Sequence, residues 1–185
     1  MKIDMASHGV AGVLSGALPG QKAFASMLTK SNPAPIAPSL LFLDFSDVEL
    51  ATASFLRESV FVLKDHMRVR NSNWYPVLAN VSSDIEDELS ILTQAGKDAV
   101  ILCAYDGDAV SDARMFGDLD PKHEKTFHLV AQLGDADAGR LAEAFGDEEG
   151  LHKATAWNNR LRTLTERGVL MEFTKGRAKL YRPAW

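Results

Sequence analysis

The C-terminal part of the fold is decided by the stretch Thr155-Ala156-Trp157-Asn158-Asn159-Arg160-Leu161. Its apolar residues belong to a pattern with three- and four-residue intervals, formed by Ala154, Trp157, Leu161 and Leu164. This spacing places them on one face and predicts an amphipathic helix. The helix is expected to end at Arg167-Gly168, because a basic residue suits the negative end of the helix dipole and glycine readily adopts the backbone of a helix C-terminus.

Two further helices are predicted before this one, and a β-hairpin after it. Lys122 to Leu133 forms the first helix, and Asp135 or Asp137 caps the second. The apolar face of the second helix consists of Ala138, Leu141, Ala142 and Phe145. The strand-like stretches Val169–Phe173 and Ala178–Arg182 follow, and Lys175-Gly176 between them suits a tight hairpin turn.

Residues 122–185 also resemble the winged helix-turn-helix family directly. The resemblance is carried by the first stretch, by Glu166-Arg167-Gly168-Val169-Leu170, and by Gly176-Arg177-Ala178-Lys179-Leu180-Tyr181-Arg182-Pro183. It implies a recognition helix that runs into a wing, and double-stranded DNA as the partner. A winged helix that is used only for protein contacts is the alternative.

The polar face of the predicted recognition helix has the chemistry of a DNA-binding surface. Asparagine pairs with adenine, and arginine pairs with guanine or with phosphate. The candidate DNA-binding residues are Lys153, Thr155, Asn158, Asn159, Arg160, Arg162, Lys175, Arg177 and Lys179. The last three lie on the hairpin, where we expect them to contact the phosphate backbone or the minor groove.

The charge of the chain is unevenly distributed. Residues 151–185 contain eight basic and two acidic residues, which gives a net charge of +6. The whole chain carries −5, so the first 150 residues carry −11. A basic end on an acidic body is typical of a protein with a polyanionic partner, although a solvated charged surface produces the same pattern.

Strands and helices alternate in the first half of the chain. The strand candidates are Leu40–Phe45, Tyr75–Val81 and Asp98–Ala104. The helices between them run from Ala53 to Val69, and from a capping box at Ser83 to Gly96. This alternation predicts an α/β domain in which helices cover a sheet.

The polar segment from Asp106 to Asp120, with its glycines, is predicted to be a linker. The expected organisation is therefore an α/β domain at 1–110, a linker at 111–121 and a winged helix-turn-helix domain at 122–185. Because linkers carry few crossing contacts, the two domains are expected to be separable there.

The N-terminal domain resembles the STAS fold, the domain of anti-sigma factor antagonists. The resemblance spans Val10 to Tyr105 and is sharpest over Leu41-Phe42-Leu43-Asp44-Phe45-Ser46-Asp47-Val48-Glu49-Leu50-Ala51-Thr52-Ala53-Ser54-Phe55-Leu56. It implies that Ser54 is a phosphorylation site and that a kinase-like ATPase is a partner. Thr52-Ala53-Ser54-Phe55 stands where the family has Asp-Ser-Ser-Gly. In the other interpretation, the Ser54 hydroxyl satisfies a free N–H at the start of a helix.

Several other classes of protein have no support in the residues. No apolar run reaches the roughly 18 residues that span a bilayer, no secretory signal is expected, and Cys103 is the single cysteine, which together favour the cytoplasm. The five histidines form no His-x-x-x-His pair, so no metal site is expected, and no cofactor is expected either.

No acid–base or nucleophile set indicates an enzyme. We therefore expect a DNA-binding transcriptional regulator with a STAS-like interaction or sensor domain, which also offers a surface for homodimerisation or docking. The alternative is an antagonist-like adaptor whose winged helix docks a protein partner.

Overall fold

The structure, a computed structural model, describes residues 1–176 and 178–185. In chain order the elements are β1 (Lys2–Asp4), a 3-10 turn (Ala6–His8), β2 (Val13–Leu14), α1 (Ala17–Lys30), β3 (Ser39–Asp44), β4 (Leu50–Ala51), α2 (Ala53–Leu56), a π-helical segment (Arg57–Phe61), α3 (Val62–Val69), β5 (Trp74–Ala79), α4 (Ser83–Gly96), β6 (Ala99–Tyr105), β7 (Val110–Gly117), α5 (Pro121–Leu133), α6 (Ala138–Glu149), α7 (Ala154–Glu166), β8 (Leu170–Lys175) and β9 (Ala178–Pro183). No helix among these residues is both long enough and apolar enough to cross a membrane.

The main sheet is mixed and has five strands in the order β1-β3-β5-β6-β7. The first four strands are parallel, and β7 pairs antiparallel with β6. Two small two-stranded pairs, β2 with β4 and β8 with β9, complete the strands. The expectation of an α/β fold is confirmed at this level. The sequence did not predict β1 and β7 of the main sheet, nor β4 of the first small pair.

One face of the main sheet is covered by the N-terminal helices. The four parallel strands follow one another in chain order, and right-handed crossovers then place every connecting helix on the same face. The side chains on that face, which pack with α1 to α4, are Leu41, Leu43, Leu78, Val100 and Leu102. This winding leaves the other face to be covered by a different part of the chain.

The opposite face of the sheet shares a core with the C-terminal elements. Its side chains are Phe42, Tyr75, Val77, Ala79, Ala99, Ile101 and Cys103. They belong to the same buried cluster as Phe127 of α5, Trp157 and Leu161 of α7, and Tyr181 of β9. The parallel strands read as continuous apolar runs because both of their faces are buried.

The segment predicted as a linker forms a sheet edge over most of its length. Val110–Gly117 is strand β7, and its register with β6 runs from Val110 opposite Tyr105 to Gly117 opposite Ala99. Gly117 has a φ of +140°, and a Cβ there would lie 2.4 Å from the carbonyl oxygen of Asp98, so only glycine fits. The segment is polar because an edge strand is partly exposed to solvent. The division of the chain into two domains stays a prediction.

Two details of the predicted helices differ in the structure. The predicted helix from Ala53 to Val69 is interrupted by one π-helical segment. The capping box at Ser83 is wrong, because Ser82 holds the cap position and makes no side-chain cap hydrogen bond. In α6 the cap is Asp137, whose carboxylate accepts from the Arg140 N–H at 2.8 Å.

Candidate nucleic-acid interface

The C-terminal elements are tied together by one isolated β-bridge. Ala136, between α5 and α6, exchanges two backbone hydrogen bonds with Tyr181 of β9, at 2.9 and 2.8 Å. β9 is therefore flanked by β8 on one side and by Ala136 on the other. This places the hairpin beside the helices and gives both a common core.

The apolar face of α7 is buried from Trp157 onward, whereas Ala154, the first residue of the helix, is exposed. Trp157, Leu161 and Leu164 have no exposed surface, and the Trp157 indole N–H donates to the Leu151 carbonyl at 2.7 Å. These contacts hold α7 in one orientation. Its polar face is thereby directed away from the core, as the periodicity predicts.

Most of the predicted DNA-contacting side chains on α7 lie on that exposed face. The exposed members are Lys153, Thr155, Asn158, Asn159 and Arg162. The first acidic residue on α7 is Glu166 at its last position, whose carboxylate lies 3.9 Å from Arg162. The first three turns of α7 therefore present hydrogen-bond donors and no acidic group to solvent.

Arg160 does not belong to this exposed face. Its guanidinium lies 3.4 Å from the Thr126 hydroxyl and 3.7 Å from the Glu149 carboxylate, and the side chain is half-buried. It also lies over the Trp157 ring, 5.4 Å from the centroid. Arg160 therefore connects α7 to α5 and α6. We expect it to support the fold of the interface, and not to contact DNA.

Three basic residues of the hairpin were predicted to contact DNA, and the structure places two of them on the surface. Lys175 and Lys179 are exposed, and the Lys179 ammonium pairs with Glu172 at 2.9 Å. Gly176 occupies the turn with a φ of +65°, as the sequence predicts for this position. Arg177 lies outside the described residues.

Ser54 lies in the first turn of α2, as the resemblance to antagonists implies. The cap itself is Thr52, whose Oγ1 accepts from the Phe55 N–H at 3.4 Å and lies 3.1 Å from the Ser54 hydroxyl. The Ala53 N–H donates to the carboxylate of Glu88 at 2.6 Å. A carboxylate from α4 therefore already occupies this helix N-terminus.

A polar cluster at the carboxyl ends of the parallel strands was not anticipated from the sequence. The buried Asp44 carboxylate accepts from Lys2 at 3.0 Å, Asn80 at 2.8 Å and the Ser46 hydroxyl at 2.9 Å. Burial acts to raise the pKa of Asp44, but the hydrogen bonds from Asn80, Lys2 and Ser46 outweigh it and hold the pKa below its usual value. Ligands commonly bind at such strand ends, but these groups already bond to one another and tie the strand ends together.

A buried ion pair lies where the two parts of the chain meet. Lys64 of α3 pairs with Asp98, and its ammonium also donates to the Ala99 carbonyl at 3.0 Å. Arg167, at the end of α7, lies 3.6 Å from the same carboxylate. Burial lowers the pKa of Lys64, against the opposing effect of Asp98. The pair was missed because its members are far apart in the sequence.

Comparisons of the chain with protein-family models, with curated proteins and with solved structures found no match. Within residues 1–176 and 178–185, no three histidine, cysteine, aspartate or glutamate side chains are grouped so that they could hold a metal ion.

Proposed function

We propose that this protein is a DNA-binding transcriptional regulator. In this proposal the C-terminal part is a winged helix-turn-helix and the N-terminal part is a STAS-like interaction or sensor domain. The observation that carries the proposal is the exposed face of α7, where Thr155, Asn159 and Arg162 stand at helical spacing with no acidic residue between them.

The order of the C-terminal elements supports the proposal. The C-terminal elements are a helix, a bridging residue, two more helices and a hairpin. A winged helix-turn-helix requires its elements in this order. The bridge from Ala136 to Tyr181 takes the place of its first short strand. In this arrangement α7 is the recognition helix and the turn between β8 and β9 is the wing.

The chemistry of the exposed face suits a major groove. Recognition helices contact base edges mainly through residues near the helix N-terminus, and here these are Thr155, Asn158 and Asn159. Asparagine can make a bidentate contact with adenine, whereas Arg162 and the hairpin lysines suit guanine or phosphate. The acidic charge of the first 150 residues would repel the duplex and so orient it toward the basic end.

Selection of duplexes from a random pool, followed by sequencing, tests the proposal. The wild-type protein should enrich a defined sequence at low salt. The triple variant Thr155→Ala/Asn159→Ala/Arg162→Ala should lose that enrichment. A matched triple on the N-terminal half, Thr29→Ala/Gln94→Ala/Arg57→Ala, removes the same kinds of exposed group and should keep it. If no duplex is enriched by the wild type, the proposal is rejected.

A second candidate is an antagonist-like adaptor that docks a protein, such as a kinase-like ATPase, at the start of α2 and not through the winged helix. The observation that favours it is a set of exposed apolar side chains on the segments that meet at the start of α2, namely Val10, Leu18 and Leu50. Gly16 at the start of α1 donates to Thr52, so these segments adjoin Ser54. A Ser54→Asp variant that changes the capture of a specific ATPase, while Ser54→Ala does not, would support this function.

A further inference from the structure

A polar cleft of about 310 Å³ lies between the two parts of the chain. One wall is formed by the end of α3 and the turn that leads into β5, and the other by α7 and the hairpin. The volume of the cleft is at the lower end of the range for ligand pockets. Because each part of the chain supplies one wall, anything bound here would contact both.

A fixed arginine forms the base of the cleft. The Arg68 guanidinium lies over the Tyr75 ring, 3.8 Å from its centroid, and its Nη2 donates to the carbonyls of Ser72, at 2.9 Å, and Trp74. Among the described residues, no carboxylate pairs with Arg68, and its buried Nε has no hydrogen-bond partner. Its positive charge is thus held in place without a counter-ion from the described part of the chain.

The opposite wall adds cations that are already paired. Arg162 faces Glu166 at 3.9 Å, and Lys179 faces Glu172 at 2.9 Å. The cleft therefore holds three cations and two carboxylates, and the unmatched charge is that of Arg68. Charge-assisted hydrogen bonds from arginine to an oxyanion are among the stronger polar contacts in proteins.

We propose that this cleft binds a small oxyanion-bearing ligand of the size of a phosphate monoester, with Arg68 as its central contact and Asn71 at the rim. Arg162 and Lys179 line the cleft and also belong to the proposed DNA interface, so a bound ligand weakens DNA binding by competing for them. This second effect rests on the proposed function, whereas binding of the oxyanion does not. By linkage, DNA weakens ligand binding by the same factor.

The test is a titration of the full-length protein with inorganic phosphate against chloride at equal ionic strength, followed by side-chain and backbone NMR. Saturable shifts should appear at the Arg68 guanidinium and the Asn71 amide. Shifts that are unsaturable, or that are confined to the first turns of α7 and the hairpin tip, overturn the proposal.

The variant Asn71→Asp tests the site without disturbing the turn. Asn71 has a φ of +50°, which aspartate also tolerates, and its side chain is exposed. The added negative charge should weaken phosphate binding about tenfold. Gln94→Glu adds the same charge on the exposed side of α4 and should leave phosphate binding within about twofold of wild type. Equal effects of the two variants overturn the proposal.

Duplex binding in chloride buffer separates a ligand site from an extension of the DNA interface. We expect Asn71→Asp to weaken binding of the selected duplex less than it weakens phosphate binding, Gln94→Glu to leave duplex binding close to wild type, and phosphate to weaken duplex binding only where the cleft is intact. If Asn71→Asp weakens DNA binding as much as it weakens phosphate binding, the cleft contacts the DNA backbone and the small-ligand proposal is wrong. If the wild type binds no duplex, the proposed function fails, and the NMR titration still decides the oxyanion site.

Discussion

The ammonium group of Lys64 and the carboxylate of Asp98 form an ion pair that is buried where the N-terminal sheet meets α7. Lys64 lies on α3, Asp98 immediately precedes β6, and Arg167 approaches the same carboxylate from the end of α7. The pair and Arg167 together thus join three elements that are distant in sequence.

Removing one partner of this pair should be strongly destabilising. Lys64→Met removes the ammonium partner of a buried carboxylate, which keeps the Ala99 N–H at 2.8 Å and Arg167 at 3.6 Å. We therefore expect a loss of about 3 kcal/mol in the free energy of unfolding, measured by urea denaturation. The exposed pair of Lys97 with Asp118 is a control, and Lys97→Met should change stability by about 1 kcal/mol or less. Lys64→Met/Asp98→Asn should recover part of the loss, and no recovery would contradict a buried-charge penalty.

The shared core predicts that the two parts of the chain unfold together. Val77 and Ile101 on the sheet belong to the same buried cluster as Trp157 and Leu161 of α7, so separation exposes apolar surface on both sides. Calorimetry of the full chain should therefore show a single transition, and residues 122–185 alone should melt at a lower temperature or without cooperativity. Two well-resolved transitions would support the hypothesis of two independent domains.

The exposed face of α7 makes a prediction about sequence-specific binding. Asn159→Ala should weaken binding to the selected duplex by about 1–3 kcal/mol, and binding to random DNA much less, if Asn159 makes a bidentate base contact. Lys175→Gln should weaken binding to the selected duplex and to random DNA alike. It should also reduce the slope of log affinity against log salt by about 0.9. Fluorescence anisotropy at several salt concentrations measures both effects. If Asn159→Ala weakens binding to both DNAs equally, Asn159 contacts the DNA backbone and not a base.

The start of α2 predicts which hydroxyl is structural. Thr52→Ala removes the cap and should cost about 1 kcal/mol of stability, whereas Ser54→Ala should cost much less. Ser54→Asp adds a negative charge beside the Glu88 carboxylate, so we expect it to lower the melting temperature and expect Glu88→Gln to relieve that effect. Thermal melts of the four variants provide the measurement. A melting temperature for Ser54→Asp equal to that of wild type would show that the helix N-terminus accommodates both charges.

The Asp44 cluster predicts a dependence of stability on pH. The pKa of Asp44 is lower in the folded protein than in the unfolded chain, so its contribution is present above the unfolded pKa and is lost as the pH falls through the folded value. Between pH 7 and about pH 3 the wild type should therefore lose more stability than Asp44→Asn does. Asp108→Asn, on the exposed turn before β7, should follow the wild type. Parallel curves for wild type and Asp44→Asn would rule out this contribution.

The elements that the sequence predicted well are those with strong local patterns. α5, α7 and the hairpin each have bounds close to the predicted ones, because helical periodicity and turn residues act over a few neighbouring positions. The exposed face of α7 follows from the same periodicity. Arg160 departs from it because the side chain is long enough to reach Glu149 on another helix.

The elements that the sequence did not predict are those that depend on a distant partner. β1 has three residues and exists through its pairing with β3, and the polar β7 exists through its pairing with β6. The Asp44 cluster and the cleft below α7 likewise collect residues from separate elements. Local periodicity contains no information about these pairings.

The sequence by itself determined the alternation of strands and helices, the amphipathic α7 and the basic C-terminal end, because each of these depends on residue type and near-neighbour spacing. Only the tertiary structure decided that the C-terminal part covers the second face of the sheet. The physical reason is that four parallel strands in chain order receive their crossover helices on one face. The other face is equally apolar, and burying it requires residues that come later in the chain.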